Sequence, residues 1–237
     1  MKIRQKMIFS LLAVLMLAVF AVPARADYDL QITEIWCGQN GDDVTADWFE
    51  ITNCGTTAWT SGDGNLYYDD DSKDASTADL MSGIVSIDPC ESVVFVIGDS
   101  GDVSDFHTVW DGVLSGFQVG CVDGAGLGQG GDGVTLWVGT PSSGSYVDYE
   151  SYGDVSNNDG QSWDVVLGEF STVGNAAGAV ATEVLGGGGD DVLGSADDFT
   201  PAIGSPGQTS CCVPEPSTFV LALMGLAALA ALLRRSA

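Results

Sequence analysis

The chain of 237 residues carries 33 acidic side chains against seven lysines and arginines, for a formal net charge of −26. Between residues 27 and 212 the imbalance steepens, because 32 acids there face a single base, Lys73, for a net of −31. A surface of that sign repels nucleic acid and anionic lipid, which argues against either as a partner; solubility in salty surroundings is reason enough for the composition.

In chain order, the first 26 residues read as an export signal. Lys2, Arg4 and Lys6 form a basic opening, Met7 to Val22 an apolar core, and Ala24-Arg25-Ala26 a small-x-small cleavage site. No cysteine stands near that site, so a lipoprotein signal is not expected. The following 186 residues suffice for one domain with a real core. They are rich in Gly, Asp, Ser and Thr, with short β-type runs divided by turn residues and no helical periodicity of useful length. That pattern predicts an all-β sandwich or barrel.

The first predicted strand is Leu30 to Trp36, with Leu30 and Ile32 on one face and the alternation breaking near Glu34. Gly41-Asp42-Asp43 makes a turn. Asp47 to Asn53 follows, with Phe49 and Ile51 facing one way and Trp48 and Glu50 the other. These two strands, Ile32-Thr33-Glu34-Ile35 and Trp48-Phe49-Glu50-Ile51-Thr52-Asn53, resemble the opening of the lamin-tail domain, an immunoglobulin-like β-sandwich. Later stretches keep the same order. Leu66 to Asp69 stands at the third strand, and Ile87-Asp88-Pro89-Cys90-Glu91 turns into a strand from Ser92 to Ile97. The family has Pro-Gly at that turn, and Cys90 takes the glycine's place, a departure that a disulfide would explain. Gly130 to Gly133 introduces Val134 to Val138, and Tyr146 to Tyr152 continues the meander. Gly160-Gln161-Ser162-Trp163 is similar to a late Ser-x-x-Arg element, with Val165 where the arginine is expected. Thr200-Pro201 and Ser205-Pro206-Gly207 resemble the closing turn. The resemblance implies an immunoglobulin-like β-sandwich over residues 27–207. Its insertions are an acidic loop from Asp69 to Asp79, a long one from Ser100 to Gly131, and a low-complexity stretch from Asn175 to Asp198. Residues 208–212 read as a short stalk.

The last segment, 213–237, has three parts. Val213-Pro214-Glu215-Pro216 is a rigid, extended opener. Thr218 to Leu233 is an uncharged apolar run of 16 residues, and Arg234 and Arg235 close it. As a helix the run is about 24 Å long, short for a hydrocarbon core of ~30 Å but within reach by snorkelling. The arginine pair stops it at the cytoplasmic side and leaves the preceding chain outside. The segment resembles the PEP-CTERM sorting signal, with Pro214, Glu215 and Pro216 as its motif. That resemblance implies processing by an exosortase after a transient stay in the inner membrane of a Gram-negative bacterium. It further implies a place at the cell surface or in the extracellular matrix, among exopolysaccharide producers.

Six cysteines in an exported chain suggest disulfides, with 15 connectivities open. The expected pairs are Cys37 with Cys54, each just past a predicted strand, and Cys90 with Cys121. Cys211 and Cys212 lie in the stalk. Catalytic signals are poor: His107 is the only histidine and no Gly-x-Ser-x-Gly elbow exists. Among the acids, Glu34 and Glu50 stand out because they fall inside adjacent strands; as plain strand residues they would meet backbone or water at a sheet edge. Asp69, Asp70, Asp71 and Asp74 crowd four oxygen donors into six residues and are candidate calcium ligands, though not an EF-hand. Gly186 to Gly194 fits one calcium nonapeptide, which needs stacked repeats to bind. The expected function is a non-enzymatic surface or matrix protein binding polysaccharide or another envelope protein. The alternative is a secreted, carboxylate-dependent hydrolase of the glycosidase type.

Overall fold

The computed structural model describes residues 28–38, 45–175, 178–182 and 201–208. The export signal, the sorting segment, Cys211, Cys212, the Gly41–Asp43 turn and the Gly186–Gly194 repeat lie outside them.

The protein is mostly β. In chain order the strands are β1 (Leu30–Trp36), β2 (Trp48–Asn53), β3 (Trp59–Thr60), β4 (Leu66–Asp69), β5 (Asp79–Leu80), β6 (Ser86–Ile87) and β7 (Ser92–Ile97). A helix, α1 (Ser100–Trp110), comes next. Then follow β8 (Gln118–Val122), β9 (Asp132–Val138), β10 (Asp148–Tyr152), β11 (Trp163–Asp164), β12 (Glu169–Phe170), β13 (Val180–Ala181) and β14 (Ile203–Gly204). One sheet has six strands in the order β12-β11-β1-β2-β7-β8, and a second has four, β10-β9-β4-β5. Between them lies the main core: Ile32, Ile35, Phe49, Ile51, Val93 and Phe95 from the first sheet meet Leu66, Tyr68, Val134 and Leu136 from the second. Two sheets packed over one apolar layer bury what neither could bury alone.

The long Ser100–Gly131 insertion is more ordered than its sequence suggests. Asp99 caps α1 by accepting from the Gly101 amide at 2.6 Å, and Asp102 reaches back to the Asp99 amide at 2.7 Å. The helix carries the chain over to β8, which pairs parallel to β7. Its apolar side, Phe106, Val109 and Trp110, closes on Trp36, Trp48, Val94 and Val96, forming a second core on the outer face of the six-stranded sheet. The signal missed was a short one: three apolar positions at helical spacing, hidden in an acidic loop.

The break in alternation at Glu34 has a structural cause. Ile32 pairs with Ile51 and Glu34 with Glu50, so Thr33 is an extra residue, a β-bulge. Without it Glu34 would point into the apolar layer between the sheets. With it, Glu34 joins Trp36 on the outer face, and Ile35 and Cys37 return to the core.

Neither expected cysteine pair can form. β1 and β2 run antiparallel, with Leu30 opposite Asn53 and Trp36 opposite Trp48. Cys37 and Cys54 therefore stand at opposite ends of the ladder, seven residues or about 23 Å apart. Cys121 pairs with Val96, six residues beyond Cys90, a separation of roughly 20 Å. A disulfide needs Cα atoms within about 7 Å. Cys90 and Cys121 are thiols, and Cys37 is buried and hydrogen-bonded to Tyr152. Cys90 occupies the third place of the Asp88–Glu91 turn, closed by the Glu91 amide on the Asp88 carbonyl at 3.0 Å, with φ at 62°. That is the left-handed position where the resemblance leads one to expect glycine.

Candidate functional site

The residues of most chemical interest lie on the outer face of the six-stranded sheet. Glu34 faces Glu50 across one ladder and Asp164 across the other, so three carboxyls form a row over β2, β1 and β11. These strands are interior ones, not a sheet edge as expected for the two glutamates. All three side chains are buried.

What covers the glutamates is the domain's own last turn. The Ser205 amide donates to Glu34 Oε1 at 2.8 Å and the Ser205 hydroxyl to Oε2 at 3.0 Å. The Gly207 amide donates to Glu50 Oε2 at 2.7 Å. Hydroxyls complete the shell. Ser162 donates to Glu34 and lies 2.8 Å from Ser171, and Thr33 donates to Glu50 at 2.5 Å. Thr52 and Ser92 extend this chain with a 2.6 Å contact. β14 is held from both sides, by β13 and by the Ser162 and Gly160 backbone. Gly204 leaves room for this carboxyl: a Cβ there would stand 2.9 Å from Glu34 Oε1 and push it against its donors.

Among the described residues no lysine or arginine enters this network. Burial pushes the Glu34 carboxyl up to about 7 against the hydroxyl and amide donors that favour its charge. Burial, then the neighbouring Glu34, raises Glu50 well above the ordinary range. Two like charges buried side by side cannot both persist, so the pair retains proton near neutrality. Asp164 is raised by burial too, with one oxygen on the Leu167 amide at 2.9 Å and the other without a partner. Chemically this is a latch: amides and hydroxyls hold a segment closed over two carboxyls, and a substrate would have to displace Ser205 to Gly207 to reach them.

The acidic loop is arranged differently from a cation site. Asp69 accepts from the Ser72 hydroxyl at 2.6 Å, the Asp74 amide at 2.8 Å and the Thr77 hydroxyl at 3.0 Å. Asp70 accepts from the Ser72 amide, and Asp74 from the amide and hydroxyl of Ser76. Asp71 points to solvent. These carboxylates brace turns, each on its own donors, and are not gathered into one site. Among the described residues no group of three or more His, Cys, Asp or Glu side chains is placed to hold a metal ion. His107 is exposed on α1, 3.1 Å from the Asp111 carboxylate, apart from the buried glutamates.

The network around the glutamates was only partly visible beforehand. Ser162 and Ser205-Pro206-Gly207 carried a resemblance, but nothing in their local pattern tied them to Glu34, 128 and 171 residues away.

Both ends of the described domain leave from one side. Asp29 accepts from the Cys54 amide beside the Leu30–Asn53 end of the ladder, and Gly207 lies against Phe117, next to the start of β8. Gln118 there pairs with Val93, at the same end. From Gln208 to Pro214 the chain can reach at most about 22 Å.

Residues 213–236 match the PEP-CTERM protein-sorting motif. The match marks the chain as an exported, extracellular protein sorted by an exosortase. No curated protein and no solved structure matches it. Among the described residues no helix is long and apolar enough to cross a membrane, and Pro214, Glu215, Pro216, Arg234 and Arg235 lie outside them.

Proposed function

We propose that this chain is a displayed binding protein without catalytic activity. In this reading a lamin-tail-like, immunoglobulin-like β-sandwich passes through a transient inner-membrane anchor, is cut free by an exosortase, and binds polysaccharide or another envelope protein outside. The observation that carries it is the latch. Glu34 and Glu50 draw Ser205 and Gly207 onto the sheet, so the folded domain ends within about 22 Å of the sorting motif. With both chain ends on one side, the outer face of the four-stranded sheet and the far loops are left free to meet a partner. The same latch weighs against hydrolysis by these glutamates, which it closes off.

The test is to incubate the exported protein with a panel of glycans and with envelope extract from its host. Retention without product supports a binder. Turnover of any glycan, abolished by Glu34→Gln or Glu50→Gln, overturns it in favour of a hydrolase.

A further inference from the structure

The outer face of the four-stranded sheet carries a row of large aromatic and apolar side chains. In β4 the alternation sends Leu66 and Tyr68 into the core and Tyr67 outward. Tyr67 is flanked by its two register partners, Leu80 on β5 and Trp137 on β9. Leu80 is 53% exposed. Trp137 is covered, with its Nε1 donating to the Ser142 carbonyl at 3.3 Å, and it supports Tyr146 edge-on at 6.4 Å. Tyr146 is 39% exposed. Tyr149 is a buttress behind it. One side of its ring lies over Gly133, where a Cβ would approach to 2.9 Å, and Lys73 sits 3.2 Å from the ring centroid. The row crosses the strands at about 4.8 Å each, so it runs about 15 Å.

We propose that this face is a stacking platform for an uncharged polysaccharide chain, with Tyr67, Tyr146 and Leu80 as the contact residues. The claim rests on the binding function proposed above and names its site. Three considerations select the occupant. A net charge of −31 over residues 27–212 repels polyanions, including acidic polysaccharides and nucleic acid, and opposes a second copy of the same chain. Phenol rings combine a flat apolar face with a hydroxyl rim, matching a sugar ring that has an apolar face and hydroxyl edges. An open row of about 15 Å suits several linked rings and not one enclosed molecule.

The experiment uses the full chain, expressed in an exporting host and recovered from the exported fraction. Its retardation is measured in gels containing cellulose-derived β-1,4-glucan, β-1,3-glucan, amylose or mannan, with alginate as an acidic comparison. The wild type is expected to bind at least one neutral glucan or mannan and not alginate. Tyr67→Ala, Tyr146→Ala and Leu80→Asp should each weaken that binding, and the two tyrosine variants by about tenfold or more, the loss of one stacked ring. Val173→Ser, at a residue 64% exposed outside this row, should leave it unchanged. Thermal melts establish that each variant is folded, and Leu80→Asp, being at an exposed site, serves where a tyrosine variant is not. If the wild type binds a neutral glycan and the three variants bind equally well, the site is wrong while the binding function stands. If it binds no neutral glycan, or dimerises through this face with loss in Leu80→Asp, both the site and its ligand are wrong.

Discussion

Removing the charge from the buried glutamates should make the domain more stable at alkaline pH and leave it unchanged in acid. The carboxyl of Glu34 is raised from 4.5 to about 7 by burial. A carboxyl with a raised folded pKa contributes stability that is fully present below the unfolded value and is lost as pH rises through the folded one. The window is therefore pH 4.5 to about 7 for Glu34, and Glu50, also raised, extends it in the same direction. At about 1.4 kcal/mol per pH unit, Glu34 alone removes roughly 3 kcal/mol across the window. For a domain of this size that is roughly 6–12 °C in Tm. Ordinary surface carboxylates titrate near pH 4 and stay ionised above pH 5.5, so their mutual repulsion is nearly constant there. Glutamine is close in shape, and its carbonyl still accepts from the Ser205 and Gly207 amides while the hydroxyls turn to accept from its NH2 group. Melts between pH 5.5 and 8.5 should show wild-type Tm falling with pH and the Glu34→Gln/Glu50→Gln protein falling by much less, the remainder coming from carboxyls such as Asp164 that burial also raises. A wild-type Tm that is level or rises with pH refutes the reasoning, as does an equal fall in the double variant. Glu34→Ala should act in the opposite direction, losing about 3 kcal/mol or more, because the Ser205 amide and hydroxyl are left in the interior without their acceptor.

Cys90→Gly should stabilise the domain by roughly 1 kcal/mol in urea unfolding, since the left-handed backbone at 62° costs glycine nothing; a loss would mean that Cys90 makes contacts worth more than its strain. Non-reducing peptide mapping of exported protein should find neither a Cys37–Cys54 nor a Cys90–Cys121 link, and either one would contradict the register of β1 with β2 or of β7 with β8. Asp69→Ala should cost about 1–2 kcal/mol by removing the acceptor of three hydrogen bonds whose exposed donors then turn to water, Asp71→Asn less than about 0.5 kcal/mol, and Ca²⁺ should raise the wild-type Tm no more than Mg²⁺ at matched ionic strength. A calcium-specific rise lost in Asp71→Asn would place a cation site in this loop instead.

Much of the β layout was legible because burial on one face imposes period two. Phe49 and Ile51 against Trp48 and Glu50, or the run from Val93 to Ile97, can hardly be read otherwise. Even the irregularity at Glu34 was visible, as a pattern that stopped fitting, although the bulge behind it could be seen only with the partner strand in place. The cysteine pairs failed for a related reason. Cys37 and Cys54 each follow a strand, and in an antiparallel pair the two strand ends lie at opposite ends of the ladder. The glutamates were singled out as strand residues, but their partners came from residues 162, 205 and 207, and no local rule links positions so far apart. In the acidic loop the sequence shows the carboxylates crowded together and not the donor that each of them meets. Its neighbouring Ser72, Ser76 and Thr77 supply those donors.

Delivery of this domain to the cell surface by its C-terminal motif is tested most directly by mass spectrometry of the exported protein from its own host. Processing at the motif in residues 213–236 predicts mature protein with no peptide from Leu221 to Leu233. It also predicts that changing Pro214, Glu215 and Pro216 to alanine leaves a precursor retained in the inner membrane. Recovery of the apolar segment intact in most of the exported wild-type protein would contradict sorting and leave a plain membrane anchor.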